Sequence, residues 1–305
     1  MSSPTQTESG KAFEYALAYA LAAFLDKPFT DSNAKTIAHN AYLLHSETEQ
    51  DKMDKAASEA VVFLCAHDER FGDTISVSLQ DDKQGMIGDV RDVIAHLDDG
   101  KEIGISAKNR HDAVKHSRLS DLIDFGKEWT DYPYSNGYMK RVKPVFEDLR
   151  QKRADGVLFR DIPDKENRYY LPILTAFEDE LRNLCENYGQ RFVMRLFQYL
   201  LGIKDFYKVI KENGHVAILS CNINGELIWG KEWKVPDRVE SITRKRGSVN
   251  TITVSFMGGW QLSFRLHNAS SRAEPSLKFD IRFIGLPASV ARHEIIINQQ
   301  PFGGV

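Results

Sequence analysis

Residues 88–111, GDVRDVIAHLDDGKEIGISAKNRH, predict a β-hairpin at the centre of the fold. Two short apolar runs with β-branched residues flank Asp98-Asp99-Gly100, a tripeptide suited to a three-residue hairpin loop. Glycine at its third position readily takes the left-handed backbone conformation that such a loop requires. Leu97 then faces Lys101, and this pairing sets the register of the whole hairpin.

The register decides which acidic side chain lies beside the lysine at the end of the second strand. Asp92 falls opposite Ser106, and directly opposed residues project from the same face as Lys108, two positions further on. A slip of one residue would place Asp89 beside Lys108 instead. The loop chemistry favours Asp92, with Asp89 as the alternative.

An aspartate beside a Ser-x-Lys sequence suits metal-dependent phosphodiester hydrolysis. A carboxylate can hold Mg²⁺, which lowers the pKa of a bound water, and a lysine places positive charge where the attacked phosphate gains negative charge. Hairpin ends are also commonly decorated with Asp and Lys for solubility alone. Spacing by itself favours solvent-exposed charges at a hairpin end over a nuclease site.

Helices are predicted along the first two thirds of the chain, around strands at residues 74–80, 93–97 and 102–108. Residues 9–27 have helical apolar spacing with Ser9 as a plausible N-cap, and a second helical stretch covers about residues 33–66. Residues 111–129 return to helical spacing, with Ser120 as a cap near their middle. Residues 140–212 are expected to be largely helical, with a break at RDIPDKENRYYLP.

From about residue 216 the apolar period changes to two, which is typical of antiparallel strands. Such segments are VAILSCNI, ELIWGKEW, TITVSFM, QLSFRLH and LKFDIRFIG. The sequence therefore predicts a mixed α/β (α+β) protein in two parts. Residues 1–212 would form a helical catalytic region around a small mixed sheet, and residues 213–305 a β-rich lobe.

Charge and cysteine content narrow the function classes. Between Lys231 and Arg282 the sequence has ten basic and five acidic residues, although the whole chain has a net charge of −3. This asymmetry favours an anionic partner for the C-terminal part. Three scattered cysteines without CxxC or His clustering argue against a zinc site or a disulfide framework. The polar N-terminus and the lack of a long apolar run predict a soluble, cytoplasmic protein.

The central block GDVRDV…EIGISAKNRHDAVKHSRLSDLIDFGKEW closely resembles the HaeIII-type type II restriction endonucleases. The N-terminal GKAFEYA and the tail GGWQLSFRLHNASSRAEPSLKFDIRFIGLP are similar to the same enzymes. The resemblance implies a PD-(D/E)xK nuclease core and Mg²⁺-dependent hydrolysis of double-stranded DNA that leaves 5′-phosphates. It also suggests GGCC as the target, a methyltransferase that protects the same site in a bacterial cell, and leaves a homodimer open.

The resemblance assigns the metal-binding aspartate to Asp92, or to Asp89, and the catalytic lysine to Lys108. Ser106 departs from the superfamily pattern, which has a second acid at that position, so another carboxylate must replace it. Glu14 on the first helix is the leading candidate, since superfamily members often place a glutamate there. Asp124 and Asp121, beyond Lys108, are the other candidates. The zinc-dependent HNH mechanism is disfavoured because His111 and His116 are five residues apart and lack a third ligand.

Basic and amide side chains in two segments are the predicted DNA contacts, because Arg and Asn are common readers of base edges and Arg and Lys bind phosphates. They are Arg110, His111, Lys115, His116, Arg118, Arg244, Arg246, Arg265, His267, Asn268 and Arg272. A solvated sheet or helix surface would carry similar residues. Two other functions stay open on the sequence alone: a sequence-specific DNA-binding protein without catalysis, and a structure-specific repair nuclease on the same core.

Overall fold

A computed structural model describes residues 4–81, 89–110 and 113–297 of the chain. Its α-helices are α1 (Gln6–Leu25), α2 (Asn33–Leu43), α3 (Glu47–His67), α4 (Phe125–Thr130), α5 (Asn136–Ala154) and α6 (Leu171–Leu201). Its strands are β1 (Thr74–Leu79), β2 (Val93–Leu97), β3 (Glu102–Asn109), β4 (Ala113–Leu119), β5 (Phe206–Lys211), β6 (His215–Cys221), β7 (Val239–Arg244), β8 (Thr251–Phe256), β9 (Trp260–His267), β10 (Leu277–Gly285) and β11 (Arg292–Ile296). Short 3-10 turns cover Glu69–Asp73 and Phe159–Asp161, and a π-helical turn covers Glu166–Tyr170.

The chain forms two compact units, and each is built from segments that alternate along the sequence. The first comprises Met1–Asp112, Gly202–Trp233 and Ala288–Val305. The second comprises Ala113–Leu201 and Lys234–Pro287. The predicted division at residue 212 differs from these units, because strands from the last third of the chain complete the first sheet while β4, from the first half, joins the second.

The first unit is built on a mixed six-stranded sheet in the order β1-β2-β3-β5-β6-β11. β3 pairs with β2 antiparallel and with β5 parallel. Ile103, Ile105 and Ala107 of β3 belong to a buried apolar cluster shared with α1 and α3. Because side chains alternate along a strand, Ser106 and Lys108 project to the opposite face, away from that cluster.

The second unit is built on an antiparallel sheet in the order β4-β10-β9-β8-β7. Its core face includes Phe264 and Phe279, which pack against Phe177 of α6 at ring-centroid distances of 6.2 and 4.8 Å. α6 is interrupted at Gly189, whose φ of 54° and ψ of −136° lie outside the helical region. Helices and sheets in both units confirm the predicted mixed α+β class.

The first helix is confirmed, but it begins earlier than its predicted cap. Thr5 is the N-cap, and its hydroxyl accepts a hydrogen bond from the Glu8 N–H while the Glu8 carboxylate binds the Thr5 N–H. This reciprocal capping box satisfies two backbone donors at once. Ser9 therefore lies inside α1, where its own N–H already donates to the Thr5 carbonyl at 2.9 Å. The stretch at residues 33–66 forms two helices, α2 and α3.

Three local predictions were wrong, two of them where strands pair with distant parts of the chain. Residues 113–119 form strand β4, because they pair with β10 and alternate Ser117 and Leu119 into the core. Residues 206–211 form β5 between β3 and β6, although helix was predicted. Residues 226–233 form no strand. No helix in the described ranges is long and apolar enough to cross a membrane.

Candidate active site

The hairpin of β2 and β3 has the predicted loop and register. Gly100 has a φ of +82°, and the Leu97 N–H donates to the Lys101 carbonyl at 2.9 Å. Val93 pairs with Ile105, so the pairing that continues to the strand end places residue 92 opposite residue 106. The register prediction is confirmed.

Asp92 lies at the open end of this hairpin, and three successive residues of β3 bind its Oδ2 atom. The donors are the Ser106 hydroxyl at 2.9 Å, the Ala107 N–H at 2.8 Å and the Lys108 ammonium at 3.0 Å. Hydrogen bonds to a carboxylate from a charged donor are the strong ones. The carboxylate therefore has a fixed position beside Lys108.

Glu14 is the second carboxylate at this place. The residue is 8% exposed, and its Oε2 accepts a hydrogen bond from the Lys11 ammonium at 2.8 Å. Burial first, and then the charge of Asp92, raise the pKa of Glu14 to about 7, against the opposing effect of Lys11 and Lys108. Asp92 and Glu14 are thus close enough to repel each other.

α1 is attached to β3 near this pair of carboxylates. The Asn109 side-chain amide donates to the Ser9 carbonyl of α1 at 3.0 Å. Ala12, Phe13 and Ala16 on the same helix are buried in the core shared with the sheet. The position of Glu14 therefore follows from the packing of α1. No local sequence pattern around the hairpin predicts that packing.

Asp89 occupies a different environment. It binds Arg91 through two hydrogen bonds of 2.8 and 2.7 Å, and Arg91 also binds Glu102 at 2.8 Å. Burial raises the pKa of Asp89, but the hydrogen bonds and charge of Arg91 outweigh it and hold that pKa below its usual value. The structure thus brings Asp92, and not Asp89, to Ser106 and Lys108.

Asp121 and Asp124 make contacts within the second unit. Asp121 is buried against Arg150, with an Nη2–Oδ1 distance of 2.6 Å. Asp124 caps α4, since its Oδ1 accepts hydrogen bonds from the Lys127 and Tyr134 N–H groups. Both side chains therefore have structural partners of their own.

Asp92 and Glu14 fit a Mg²⁺ site of the kind that leaves room for a substrate. Mg²⁺ is usually held by one or two carboxylates, with waters and substrate phosphate oxygens as the remaining ligands. Two neighbouring carboxylates that repel each other, one of them buried, also favour a cation between them. Within residues 4–81, 89–110 and 113–297, no group of three or more His, Cys, Asp or Glu side chains forms a metal site.

The outward face of the second sheet gathers four of the predicted DNA contacts. His116 of β4 and Arg265 of β9 both lie opposite Asp280 of β10, and Arg118 and His267 both lie opposite Lys278. Burial first, and then the positive charges of Arg265, Lys278 and Arg118, lower the pKa of His267 against the opposing charge of Asp280. This basic face is a candidate nucleic-acid surface.

Three other predicted contacts have structural partners in the second unit. Lys115 lies on the core side of β4, with its ammonium 4.7 Å from the centre of the Tyr199 ring. Arg244 binds Glu178 and Thr175 of α6 at 3.0 and 2.6 Å. Asn268 donates to two carbonyls of its own loop and accepts from the Glu274 N–H.

The remaining predicted contacts belong neither to the basic face nor to the three residues with structural partners in the second unit. Arg246 is exposed in the turn after β7, and Arg272 is exposed in the loop after β9. Arg110 is exposed at the end of β3 in the first unit, where it binds Glu49 at 3.0 Å. His111 lies outside the described residues.

Comparison with known proteins adds evidence that is independent of this geometry. The family model described as "HaeIII restriction endonuclease" matches residues 10–287. The chain belongs to the HaeIII restriction endonuclease family. The type II restriction enzyme HaeIII of Haemophilus aegyptius is 33% identical over 303 residues, which cover 93% of this chain and 95% of that enzyme.

Membership of the HaeIII restriction endonuclease family confirms the enzyme class predicted from the sequence, a site-specific deoxyribonuclease acting on double-stranded DNA. The matched range includes Glu14, Asp92, Ser106 and Lys108, as well as the basic face of the second sheet. Both candidate sites therefore belong to the part of the chain that defines the family.

Two basic residues near the carboxylates escaped the sequence analysis. Lys11 precedes Glu14 by three positions, a spacing that brings helical side chains together and could have indicated the pair. Lys208 is 4% exposed on β5 and lies beside Ser106 in the parallel pairing. No local signal pointed to Lys208, because its strand was predicted as helix.

Proposed function

We propose that this member of the HaeIII family is a Mg²⁺-dependent type II restriction endonuclease that cuts double-stranded DNA at GGCC and leaves 5′-phosphates. The observation that carries the proposal is the Asp92 carboxylate held beside Lys108, with the buried Glu14 within electrostatic range. The family membership supplies the substrate class, and the GGCC target rests on the resemblance to HaeIII-type enzymes.

Asp92 and Glu14 would hold the metal ion. Bound there, Mg²⁺ supplies a Lewis acid that lowers the pKa of a water and offsets charge on the phosphate. Ser106 and the Ala107 N–H keep the Asp92 carboxylate in position through hydrogen bonds of 2.9 and 2.8 Å. Ser106 thus takes the place of an acid as a positioning residue.

Lys108 would act on the phosphate and on the attacking water. Its ammonium lies at the Asp92 carboxylate, so a phosphodiester bound there gains a cation next to the oxygens that become more negative during attack. The water oxygen forms a bond to phosphorus while the bond to the 3′ oxygen breaks. The products are a 5′-phosphate and a 3′-hydroxyl, and the leaving oxygen takes up a proton.

The basic face of the second sheet would read the bases. Asp280 is buried and binds Arg282 through Oδ2 at 2.9 Å, and it lies 3.6 Å from Arg265. A buried acid that orients an arginine fork reduces its freedom before binding. Arginine in that state suits the O6 and N7 atoms of guanine, which is present in both strands of GGCC.

A two-fold symmetric target further favours two copies of the chain acting on one site, each cutting one strand. The cell must then protect its own GGCC sites, and a methyltransferase of the same specificity would do so. The second copy of the chain and the methyltransferase both follow from the proposed GGCC target.

The test is digestion of plasmid DNA with Mg²⁺ and, in parallel, with EDTA. The proposal requires discrete fragments only with the metal, with ends at GGCC that ligate without prior phosphorylation. DNA premethylated at GGCC is the matched control and must stay intact. Nicks or irregular ladders would indicate a structure-specific nuclease, and intact plasmid with retained binding would indicate a DNA-binding protein without catalysis.

A further inference from the structure

A basic cavity lies in the first unit next to the end of β3. Its volume is about 300 Å³, which is space for roughly ten water molecules at about 30 Å³ each. It is lined by Lys52, Lys55, Arg110, Lys211, Glu212, Asn213, Gly214 and Ile297. Four of these eight residues are cations and one is an acid, so the lining itself is positively charged.

Lys211 distinguishes this cavity from an ordinary charged surface. The residue is 2% exposed, and no hydrogen bond or ion pair joins its ammonium to another described residue. Burial and the charge of Arg110 lower the pKa of Lys211, and Lys52 adds to this against the opposing effect of Glu49. A buried cation without a counter-ion is unfavourable until an anion arrives.

Carboxylates near the cavity neutralise the other cations only in part. Glu49 binds both Arg110 at 3.0 Å and Lys52 at 2.7 Å. Asp51 lies 3.6 Å from Lys55 on the exposed surface of α3. Glu49 thus divides one negative charge between two cations, and no described carboxylate binds the Lys211 ammonium.

The cavity lies close to the proposed active site in the sequence of β3. Arg110 follows Lys108 by two residues, and its N–H donates to the Lys211 carbonyl at 2.7 Å. Two residues of a strand span about 7 Å. Each DNA strand carries one phosphate for about every 3.4 Å of helix axis, so a phosphate one or two nucleotides from the cut comes within reach.

We infer that the cavity lined by Lys52, Lys55, Arg110 and Lys211 binds a backbone phosphate of the DNA strand that Lys108 acts on, one or two nucleotides from the cut. The inference rests on the proposed nuclease function and adds a second anchor to it. A phosphate held there fixes the register of the strand relative to Asp92 and carries no sequence information. The Lys211 ammonium gains a counter-ion that none of the described residues supplies.

The decisive experiment pairs a change in the protein with a change in the DNA. Fluorescence anisotropy in EDTA measures the affinity for a short GGCC duplex in which one phosphate at a time is a neutral methylphosphonate. At one position next to the cut, we expect wild-type binding to weaken about tenfold. Lys211→Met protein should bind the unmodified duplex about tenfold more weakly than the wild type does. The same methylphosphonate should then weaken binding by Lys211→Met by less than about twofold.

The Lys101→Met variant is the matched control, because it removes one exposed lysine at the other end of β3. It must retain the wild-type response to every methylphosphonate. The salt dependence gives a second readout, since loss of one phosphate contact reduces the slope of log K against log salt by about 0.9. If Lys211→Met fails to fold, the double variant Lys52→Ala, Lys55→Ala on the surface of α3 carries the same test.

If Lys211→Met and the methylphosphonate weaken binding independently at every phosphate position, the inference is overturned while the nuclease function stays intact. Binding of inorganic phosphate in the cavity, without coupling between Lys211→Met and any methylphosphonate, would also overturn the inference. It would show that the cavity binds a free anion instead of DNA. A wild-type protein that neither binds nor cuts the GGCC duplex would instead refute the proposed function. Coupling at a single position close to the cut supports the inference.

Discussion

Asp92 owes its position to donors from three successive residues of one strand. Ser106 and the Ala107 N–H bind the same carboxylate oxygen as Lys108, so the lysine meets an acid that is already oriented. The preorganised geometry reduces the reorganisation that catalysis would otherwise require.

Replacement of Lys108 by alanine tests the role of its charge. We expect the single-turnover cleavage rate of a GGCC duplex to fall about 10²–10³-fold, the usual effect of losing one group that stabilises transition-state charge. Binding of the uncleaved duplex should change far less. Lys101→Ala, which removes an exposed lysine paired with Asp99 in the hairpin loop, is the control. Normal cutting by Lys108→Ala would refute the mechanism.

The raised pKa of Glu14 makes the stability of the protein depend on pH. Its native pKa of about 7 lies above the ordinary value of 4.5, so the native state binds more protons than the unfolded state between these values. Stability therefore falls as pH rises from about 4.5 to about 7 and stays low above 7. A shift of this size corresponds to roughly 3 kcal/mol.

The variant Glu14→Gln removes both that cost in stability and the carboxylate proposed to bind the metal. We expect metal-free Glu14→Gln protein to unfold at a higher temperature than the wild type at pH 8, with a difference that shrinks towards pH 4.5. Its cleavage activity should be lost. Thermal unfolding in EDTA at both pH values measures the effect, and equal unfolding temperatures at pH 8 would show that Glu14 carries no such penalty.

At the scale of elements, the β2–β3 hairpin depends on a glycine that no loop geometry requires. A Cβ atom on Gly104 would lie 1.9 Å from Cδ of Arg91, whose side chain crosses the strand to reach Asp89 and Glu102. Gly104 thus gives this ion-pair cluster its space, beside the strand position that carries Ser106.

Substitution of Gly104 by alanine should therefore displace Arg91 and break its pairs. Because the broken pairs are largely buried, we expect a loss of roughly 3 kcal/mol in the free energy of unfolding. Gly72→Ala is the control, since nothing lies within 4 Å of its added Cβ, and it should change stability by less than about 0.5 kcal/mol. Chemical denaturation of both variants gives the comparison. A stable Gly104→Ala protein would mean that Arg91 can move freely.

The two faces of the second sheet should respond differently to loss of an arginine. Arg265 is exposed on the outward face, and Arg244 binds α6 residues on the other side. Arg265→Ala should reduce the preference for GGCC over a site with one altered guanine by about 10–100-fold without lowering the unfolding temperature. Arg244→Ala should lower the unfolding temperature and keep the preference. The opposite pattern would assign base reading to Arg244.

At the scale of the whole molecule, the chain crosses between its two units instead of completing one before the other. β6 and β11 complete the first sheet from the last third of the sequence, and β4 enters the second sheet from the first half. A cut at residue 212 consequently leaves β5 as an open edge and removes two strands from the first unit. Exposed edges of this kind promote aggregation.

A fragment of residues 1–212 should accordingly fail to fold cooperatively. We expect a broad, weak thermal transition, because the buried side chains of Val216 and Ile218 are missing from its core. Calorimetry and analytical ultracentrifugation of the fragment, with the full chain as control, measure this. A sharp transition in a monomeric fragment would show that the first 212 residues form an independent domain.

The sequence alone determined the features that depend on neighbours along the chain. The Asp98-Asp99-Gly100 loop sets the register of the hairpin, and alternation then joins Asp92 to Ser106 and Lys108. Helical spacing likewise predicted α1. These predictions succeeded because loop geometry, side-chain alternation and helical period are local properties of the backbone.

Only the tertiary structure decided what depends on contacts between distant segments. β4 and β5 become strands because β10 and β3 pair with them, against their local helical spacing. Packing of α1 on the sheet brings Glu14 to Asp92, and pairing of β3 with β5 brings Arg110 to Lys211. The physical reason is the same in each case: burial and pairing energies between remote residues outweigh local propensity, and a single sequence does not record which remote residues meet.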